Sequence, residues 1–293
     1  MMLLDRRMFL AGTAALGTAL DALPAASRNR DDPALMELRR SLGPGARLGV
    51  VAIETGTGRR ISIDPDSRYA MCSTFKLPLA GFVLRLSDQR RLSLSEELRF
   101  SAEDPLENSP IVAANMGRRA LSIDTLAAAA VRQSDNSAAN LLLRRVGGPA
   151  ALTRFIRSCA DPSTRIDRFE LALNSNLEGD PRDTTTPSAM AGLASALLLG
   201  AIVAESSRSK LTEWFVTSEA KPDRLKAGFP SQWRVGHKPG TGRAGAVNDV
   251  AIAWPPGKSP IVVSAYISGG AASAEAKAAV HRSIARLVAS RFS

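Results

Sequence analysis

Ser73 and Lys76 stand three residues apart in the run Ser-Thr-Phe-Lys, a spacing that suits nucleophilic catalysis. At a helix start, residues three apart share one face, so the lysine amine can contact the serine oxygen. A serine hydroxyl is a poor nucleophile until a nearby base takes its proton, and a helix N-terminus stabilises the negative charge that develops on the acyl oxygen. The pattern therefore predicts an activated serine. A helix-capping Ser73 with a surface Lys76 fits the same spacing.

Glu170 and Asn174, four residues apart in a polar and irregular segment, could hold one water molecule between them. A carboxylate placed beside a water is what a general base for hydrolysis needs. Arg168 and Asp183 could pair and close this segment. The alternative interpretation is a set of unrelated, solvated charges.

Two further motifs place polar groups on turns. Ser134-Asp135-Asn136 presents a hydroxyl and an amide between two helical segments, or else caps the helix that follows. In Lys238-Pro239-Gly240-Thr241-Gly242 the lysine supplies positive charge for an anionic substrate, and the glycines let a ligand lie close to the strand. A plain strand end and turn is the alternative for this motif.

The elements that must position these residues are of two kinds. Short β-rich runs near both chain ends predict strands at Leu48–Glu54, Arg59–Ile63, Trp233–Lys238, Val247–Trp254 and Ile261–Ile267. Apolar residues at helical spacing predict terminal helices at Pro33–Arg40 and Ala271–Val288, and central helices at Ser73–Leu86, Ile123–Val131, Ser137–Arg145, Gly148–Arg157 and Ser188–Leu199. The simplest assembly is one sheet covered by the terminal helices, with an all-helical second domain and a ligand cleft between the two.

The bulk composition favours a globular enzyme. With 293 residues and 45% apolar residues, the chain is long enough for one large or two ordinary domains. The net charge of +10 is dispersed in short doublets and only 5% of residues are aromatic, so no nucleic-acid partner is predicted. Two histidines and two cysteines, in no metal-binding spacing, predict no metal and no cofactor. A Ser-His-Asp hydrolase is disfavoured because the chain has no G-x-S-x-G elbow.

Residues 1–26 have the pattern of an export signal. The pair Arg6-Arg7, the apolar stretch Ala11–Leu20 and the small residues around Ala25 are typical of the twin-arginine route. The apolar stretch is too short for a permanent membrane span. We therefore expect a periplasmic or secreted protein with no membrane partner.

In this order and context, the motifs resemble the class A β-lactamase family, whose motif set of S-x-x-K, S-D-N and K-T-G is shared with penicillin-binding proteins. The resemblance covers residues 32–292. It implies an α+β fold: an α/β sandwich of a five-stranded antiparallel sheet with terminal helices, plus an all-helical domain. It assigns the α/β domain to residues 27–68 and 216–293. The helical domain is residues 69–215, with a long loop at 168–183.

The resemblance also implies a β-lactam hydrolase that confers resistance, with a role for each motif residue. Ser73 attacks the lactam carbonyl, and Lys76 acts as base or proton relay jointly with Glu170 through a water. Ser134, next to Lys238, passes a proton to the departing nitrogen. Glu170 then activates the water that hydrolyses the acyl-enzyme.

Binding roles are implied in the same way. The backbone N–H groups of Ser73 and Thr241 form the oxyanion hole, and Asn136 bonds the amide side chain of the substrate. Arg224 stands where some members place an arginine that supports the carboxylate end of the site. The implied substrate-binding residues are Asn136, Asn174, Lys238, Gly240, Thr241, Arg224 and Asn108.

The chain departs from the family pattern inside the third motif. Pro239 replaces a Thr or Ser whose hydroxyl helps bind the substrate carboxylate, and proline also lacks a backbone donor. It is tolerated only where no ladder partner faces it. We expect carboxylate recognition to shift to Thr241, Lys238 and Arg224. His237 replaces a residue that is commonly Asp.

Two more departures lie near the cleft. Asn108 stands where many members place an aromatic residue. Cys72 has a counterpart in carbapenem-hydrolysing members, but its usual disulfide partner position is Gly242, so neither that disulfide nor carbapenemase activity is predicted. We expect Cys72 to be buried as a small apolar residue, and a disulfide with Cys159 stays open.

Two other functions fit the same fold. A penicillin-binding peptidase would be inhibited by β-lactams, and the pair Glu170 and Asn174 argues against it. A non-catalytic binding protein would explain Pro239 as decay. The favoured prediction is a monomeric enzyme whose partner is a small-molecule β-lactam, with its range among penicillins, cephalosporins and carbapenems left open.

Overall fold

The structure, a computed structural model, describes residues 31–292 and builds its main sheet from both chain ends. The strands are, in chain order, β1 (Ala46–Glu54), β2 (Arg60–Ile63), β3 (Tyr69–Ala70), β4 (Glu97–Arg99), β5 (Ala120–Ser122), β6 (Thr184–Thr185), β7 (Arg234–Thr241), β8 (Val247–Trp254) and β9 (Ile261–Gly269). Five of them pair antiparallel in the order β2-β1-β9-β8-β7. Two short pairs, β3 with β6 and β4 with β5, form separate two-stranded sheets.

The helices cover the sheet on two sides. They are α1 (Pro33–Ser41), α2 (Lys76–Asp88), α3 (Pro110–Ala114), α4 (Ile123–Arg132), α5 (Asn136–Arg145), α6 (Gly148–Ser158), α7 (Pro187–Leu198), α8 (Glu205–Val216) and α9 (Ala274–Phe292). The terminal helices α1 and α9 pack against each other and against one sheet face. Helices α7 and α8 contact the sheet as part of the central helical group.

Alternation along the strands divides the core into two. Successive side chains of a strand point to opposite faces. On β8, Val250 and Ile252 therefore join the core of the central helices, whereas Ala251 and Ala253 join the core under α1 and α9. A fully buried leucine such as Leu77 contributes about 1.5–3 kcal/mol relative to an exposed one. Both faces of the sheet are thus held by apolar burial.

The predicted fold class is confirmed, since a five-stranded antiparallel sheet with terminal helices is combined with a helical part. Strand β7 is longer than predicted and extends to Thr241, so it carries the whole motif from Lys238 to Thr241. Helix α9 begins at Ala274 and runs to Phe292, a few residues later at both ends than the sequence pattern indicates.

Helix α8 was not predicted. Its N-cap residue, Ala204, has no side chain that can cap the helix, which removes the usual sequence signal for a helix start. The cap comes from a distant residue instead, because Asp88 accepts hydrogen bonds from the Ala204 N–H and the Ser207 hydroxyl. Within residues 31–292, no helix combines the length and apolarity needed to cross a membrane.

Candidate active site

Ser73 lies in a 3-10 turn, Cys72–Phe75, that leads directly into α2. The predicted helix start at Ser73 is therefore wrong by one turn, since the α-helix begins at Lys76. The N-cap position of α2 is Phe75 and not Ser73, so the helix-cap interpretation is wrong. Cys72 has a φ of 49°, a left-handed conformation that is uncommon for a residue with a side chain. Strain of this kind clusters at functional sites.

Contacts from the sheet hold the turn Cys72–Phe75 and the residues before it in place. The Asn248 amide on β8 donates to the carbonyls of Ala70 and Met71, at 2.9 and 3.2 Å. The hydroxyls of Thr74 and Tyr266 lie 3.1 Å apart. Because these anchors lie on β8 and β9, the position of Ser73 is set by the sheet as well as by α2.

Lys76 is fully buried and its ammonium is surrounded by oxygen atoms, so the surface-lysine interpretation is wrong. Its Nζ lies 3.0 Å from Ser73 Oγ, as the spacing predicts, 2.5 Å from Asn136 Oδ1 and 2.9 Å from the Ser134 carbonyl. Glu170 Oε1 lies 3.0 Å away, with both side chains at 0% exposure. Burial lowers the pKa of Lys76, and the neighbouring Glu170 carboxylate partly opposes this shift.

Ser134 occupies a bend between α4 and α5 and faces two lysines. Its hydroxyl accepts a hydrogen bond from Lys238 Nζ at 2.9 Å and lies 3.4 Å from Lys76 Nζ. The helix-capping interpretation of the motif Ser134-Asp135-Asn136 is correct for Asp135 only. Asp135 caps α5 through the Ala138 N–H at 2.8 Å and leaves its neighbours free for the cleft.

Lys238 reaches the same place from the opposite side, on the edge strand β7. Its side chain is fully buried, and burial together with the charge of Lys76 lowers the pKa of Lys238 well below its usual value. Two close, buried lysines with lowered pKa values hold their protons weakly. Such an arrangement can pass a proton among Ser73, Ser134 and the lysines.

Glu170 and Asn174 meet in the long loop. Asn174 Nδ2 donates to Glu170 Oε2 at 2.7 Å. Glu170 Oε1 and Asn174 Oδ1 are buried, and neither atom accepts a hydrogen bond from the described residues, although Lys76 Nζ lies close to the former. Glu170 Oε1 can therefore accept a proton from a molecule that lies between the long loop and Ser73.

The predicted pairing of Arg168 with Asp183 is present at 2.5 Å and closes the base of this loop. Asp183 Oδ1 also accepts from the backbone N–H groups of Asp167 and Arg168. A second anchor was missed by sequence analysis. Asn140 on α5 donates to the Glu170 carbonyl and accepts from the Glu170 N–H, both at 2.9 Å. Its position four residues after Asn136, on the same helix face, was the available signal.

The end of β7 packs directly on the turn Cys72–Phe75 and on Met71 before it. A Cβ at Gly240 would lie 2.8 Å from the Met71 carbonyl oxygen and 3.2 Å from the Ser73 nitrogen. The backbone of the turn therefore leaves no room for a side chain at Gly240. The sequence pattern predicts a different reason for this glycine, the close approach of a ligand to the strand. Pro239 is accommodated because β7 is an edge strand and pairs only with β8 in the main sheet.

Arg224 lies behind this strand with its side chain buried. The guanidinium donates to the carbonyls of Gly240 and Asn248 at 2.7 and 2.8 Å, and to Thr241 Oγ1 at 2.6 Å. Because a guanidinium can only donate, the Thr241 oxygen accepts and its own hydrogen stays available for a ligand. Burial lowers the pKa of Arg224.

A cleft of about 390 Å³ opens above these groups. Among the predicted site residues, those that line it are Ser73, Asn108, Ser134, Asn136, Asn174 and Thr241. The others lie beneath its surface and act on the lining residues from below: Lys76, Glu170, Arg224, Lys238 and Gly240. Pro239, Lys221 and Arg243 complete a rim on the β7 side that is rich in positive charge.

Two amides shape the opposite wall of the cleft. Asn108 donates to the Ser134 carbonyl at 2.9 Å, and its own carbonyl accepts from the Asn136 N–H. Asn136 uses one amide hydrogen on the Glu107 carbonyl at 2.7 Å and keeps a second one. Asn108 therefore supports Ser134 as well as lining the cleft.

Both cysteines are free thiols. Cys72 is fully buried, as expected, and burial raises its pKa to about 12, so it is not a reactive thiol. A Cβ at Gly242 would lie 2.5 Å from Cys72 Sγ. The position opposite Cys72 is thus close enough for a partner side chain, but glycine leaves it without one.

A serine contacted by a buried lysine, with a second serine–lysine pair and a carboxylate around it, defines a serine acyl-transfer enzyme. Comparison with known proteins gives the family. A family model described as β-lactamase enzyme family matches residues 36–292. β-Lactamase CTX-M-8 of Citrobacter amalonaticus is 35% identical over 284 residues, 97% of each chain, and β-lactamase L2 of Stenotrophomonas maltophilia is 40% identical over 242 residues, 82% of this chain and 80% of L2.

Solved structures agree with this result. An ancestral class A β-lactamase superposes with a TM-score of 0.85 at 46% sequence identity, covering 88% of this chain and 98% of that one. A β-lactamase from Xanthomonas campestris gives a TM-score of 0.85 at 40% identity, covering 88% and 95%. The chain belongs to the class A β-lactamase family.

Proposed function

We propose that this protein hydrolyses β-lactams through an acyl-enzyme on Ser73 and so confers β-lactam resistance. The observation that carries the proposal is the carboxylate of Glu170, which lies 3.0 Å from Lys76 Nζ and 2.7 Å from Asn174 Nδ2. This arrangement provides a base for hydrolysis of the ester on Ser73. A penicillin-binding peptidase, the related alternative, needs no such base next to its nucleophile.

In the acylation step, Lys76 takes the Ser73 proton across the 3.0 Å contact, directly or with Glu170 through a water. The Ser73 oxygen attacks the lactam carbonyl while the backbone N–H groups of Ser73 and Thr241 stabilise the oxyanion. As the ring opens, Ser134 gives its proton to the departing nitrogen and receives in exchange the proton that Lys76 took from Ser73, across the 3.4 Å between Lys76 Nζ and the Ser134 hydroxyl. Lys238, 2.9 Å from the Ser134 hydroxyl, stabilises the oxygen that loses the proton.

In the deacylation step, Glu170 takes a proton from a water that attacks the ester carbonyl. Asn174 orients both the carboxylate and the water. The two hydrogen bonds between Asn140 and the Glu170 backbone support this role, because they fix where the carboxylate stands. The proton then returns to the Ser73 oxygen, and the opened product leaves.

The substrate carboxylate binds at the β7 end of the cleft. Thr241, whose oxygen is held by Arg224 at 2.6 Å, donates its hydroxyl hydrogen, and the buried Lys238 amine and Arg224 guanidinium act from below. These groups replace the hydroxyl that Pro239 lacks. Asn136 uses its second amide hydrogen for the amide side chain of the substrate.

The test follows turnover of excess chromogenic cephalosporin together with the mass of the protein. Sustained turnover is expected for the wild type, no reaction for Ser73→Ala, and a trapped adduct on Ser73 for Glu170→Ala. Glu178→Ala, an exposed glutamate in the same loop, is the matched control and should keep wild-type turnover. A single stoichiometric burst with a lasting wild-type adduct would overturn hydrolysis in favour of a penicillin-binding protein. No reaction and no adduct would favour a non-catalytic binding protein.

We also propose the organisation and location of the chain. Residues 27–68 and 216–293 make up an α/β domain and residues 69–215 a helical domain; the location of the five main strands outside 69–215 supports this division. Residues 1–26, all of which lie outside the described residues, direct export by the twin-arginine route to the periplasm or the medium. The mature protein acts as a monomer without nucleic-acid or membrane partners. Replacing Arg6 and Arg7 with lysine should retain the protein in the cytoplasm.

A further inference from the structure

A buried polar group lies behind the floor of the cleft, on the sheet face that α9 covers. His237, Asp249 and His281 are each 0% exposed. His237 Nδ1 lies 3.0 Å from Asp249 Oδ2, and the same oxygen accepts the Leu225 N–H at 3.0 Å. His281 Nε2 lies 3.1 Å from the Val247 carbonyl oxygen. None of these contacts has a part in the steps described above.

The direction of the His237 hydrogen bond follows from the charge on Asp249. Burial acts to raise the pKa of Asp249, but His237, His281 and Arg224 outweigh it, and the net pKa is lowered. The carboxyl is therefore ionised and can only accept. His237 must carry its hydrogen on Nδ1 and donate it.

The carboxylate is linked to the cleft through the backbone next to Arg224. Leu225, which donates to Asp249, directly follows Arg224 and begins a 3-10 helix, Leu225–Gly228. Fixing the Leu225 N–H fixes the start of the arginine side chain. Asp249 is also the anion with the strongest influence on the Arg224 charge. The guanidinium then holds Gly240 and Thr241, the two residues at the end of β7.

These contacts form a closed circuit that begins and ends on one strand. From β7 it runs through His237 to Asp249 on β8, then through Leu225 to Arg224, and back to Thr241 on β7. We propose that His237 is a positioning residue for recognition of the substrate carboxylate, acting through Asp249 and Arg224 on the Thr241 hydroxyl. The proposal rests on the function proposed above and extends its carboxylate-binding part.

The circuit has particular importance in this chain because Pro239 has no hydroxyl. The carboxylate then depends on Thr241, and the orientation of that hydroxyl depends on Arg224. Hydrogen bonds that involve a charged group are stronger than neutral ones. Loss of the His237 donor should therefore change how Arg224 holds the Thr241 hydroxyl.

The experiment compares a chromogenic cephalosporin with its methyl ester, which lacks the carboxylate. For His237→Leu, we expect KM for the acid to rise about tenfold, with kcat changed less than about threefold and the ester unaffected. His237→Asn keeps an N–H donor and should stay within about threefold of the wild type on both substrates. Wild-type turnover of both compounds is measured first, and its absence would contradict the proposed hydrolysis rather than the role of His237.

Asp249→Asn keeps the side-chain volume and removes the charge, and it provides the test if His237→Leu does not fold. It should reproduce the same acid-selective rise in KM. Equal losses on acid and ester, or a fall in kcat alone, would overturn the proposal, since a general loss of structure does not distinguish the two substrates. Failure of His237→Asn to rescue the acid in a folded protein would overturn it as well.

Discussion

At the scale of single residues, the site is dominated by charges removed from water. Lys76 and Lys238 are both fully buried, and both contact Ser134. A buried ammonium is destabilising unless hydrogen bonds and an opposite charge compensate it. Glu170 supplies that charge for Lys76. The protein therefore maintains a costly arrangement whose lowered lysine pKa values suit proton transfer.

The Glu170 carboxylate has a testable effect on its lysine neighbour. It raises the pKa of Lys76 against the lowering effect of burial. Glu170→Gln removes this opposition, so the pKa of Lys76 should fall further. If neutral Lys76 is the acylation base, the rising limb of acylation against pH should move to lower pH. Single-turnover formation of the Ser73 adduct, measured across pH for wild type and variant, checks this.

The same measurement assigns the base. A Glu170→Gln variant that no longer acylates at any pH would show that Glu170 itself takes the Ser73 proton. Glu178→Gln, an exposed change in the same loop, should leave the profile unchanged.

Thr241 carries a second prediction at this scale. Its hydroxyl is held by Arg224 and stands in for the hydroxyl that Pro239 lacks. Thr241→Ala should raise KM by about tenfold, the size expected for a lost hydrogen bond to a charged group. Thr241→Ser keeps the hydroxyl and should stay near the wild type. Steady-state kinetics on a carboxylate-bearing cephalosporin test this prediction. An unchanged KM in Thr241→Ala would contradict the role of the Thr241 hydroxyl in binding the carboxylate.

At the scale of elements, the proposed mechanism depends on the contact between the edge strand β7 and the turn Cys72–Phe75. Gly240 is the residue where the two backbones meet. The turn is held from the other side by Asn248 on β8, which bonds Ala70 and Met71. Register along β7 and β8, with Gly240 opposite Asn248, puts both contacts at the same level of the sheet.

Gly240→Ala tests this contact. An added Cβ would lie 2.8 Å from the Met71 carbonyl, a backbone atom that cannot rotate away. Strand and turn must separate, so we expect a loss of about 1–3 kcal/mol in stability and a fall in kcat. Gly117→Ala is the control, because nothing lies within 4 Å of its Cβ position. Urea unfolding and steady-state kinetics are measured on both variants. Equal stability and equal kcat in Gly240→Ala and Gly117→Ala would contradict the close contact.

At the scale of the whole molecule, periodicity and motif order made most of the architecture predictable. Strands such as Val247–Trp254 were placed correctly because both faces are buried and the stretch from Val250 to Trp254 is continuously apolar. Helix α8 was not predicted because the residue that caps it, Asp88, is far away in sequence. The Ser73–Lys76 contact was one of two interpretations that the spacing allowed. The contact of Asn140 with Glu170 depends on the tertiary position of the long loop, and the helical spacing from Asn136 indicated only which face Asn140 shares.

The buried polar group beneath the sheet gives the stability of the whole molecule a specific pH dependence. Burial lowers the pKa of His281 to about 4, from 6.5. As pH falls, the unfolded chain therefore binds this proton before the folded chain does. The His281 contribution is complete above pH 6.5 and is lost progressively as pH falls toward 4, by about 3 kcal/mol at 1.36 kcal/mol per pKa unit.

His281→Gln removes this titration while keeping a donor for the Val247 carbonyl. The variant should be less stable at pH 7 because a fitted side chain is lost, but its free energy of unfolding should fall less steeply than that of the wild type between pH 6.5 and pH 4. Urea unfolding at several pH values gives both slopes. Most acidic groups titrate alike in wild type and variant, but the pKa of Asp249 is lowered by His281, so the difference between the slopes belongs to His281 together with its coupling to Asp249. Parallel curves would mean that His281 is already charged in the folded protein, or that it keeps its ordinary pKa.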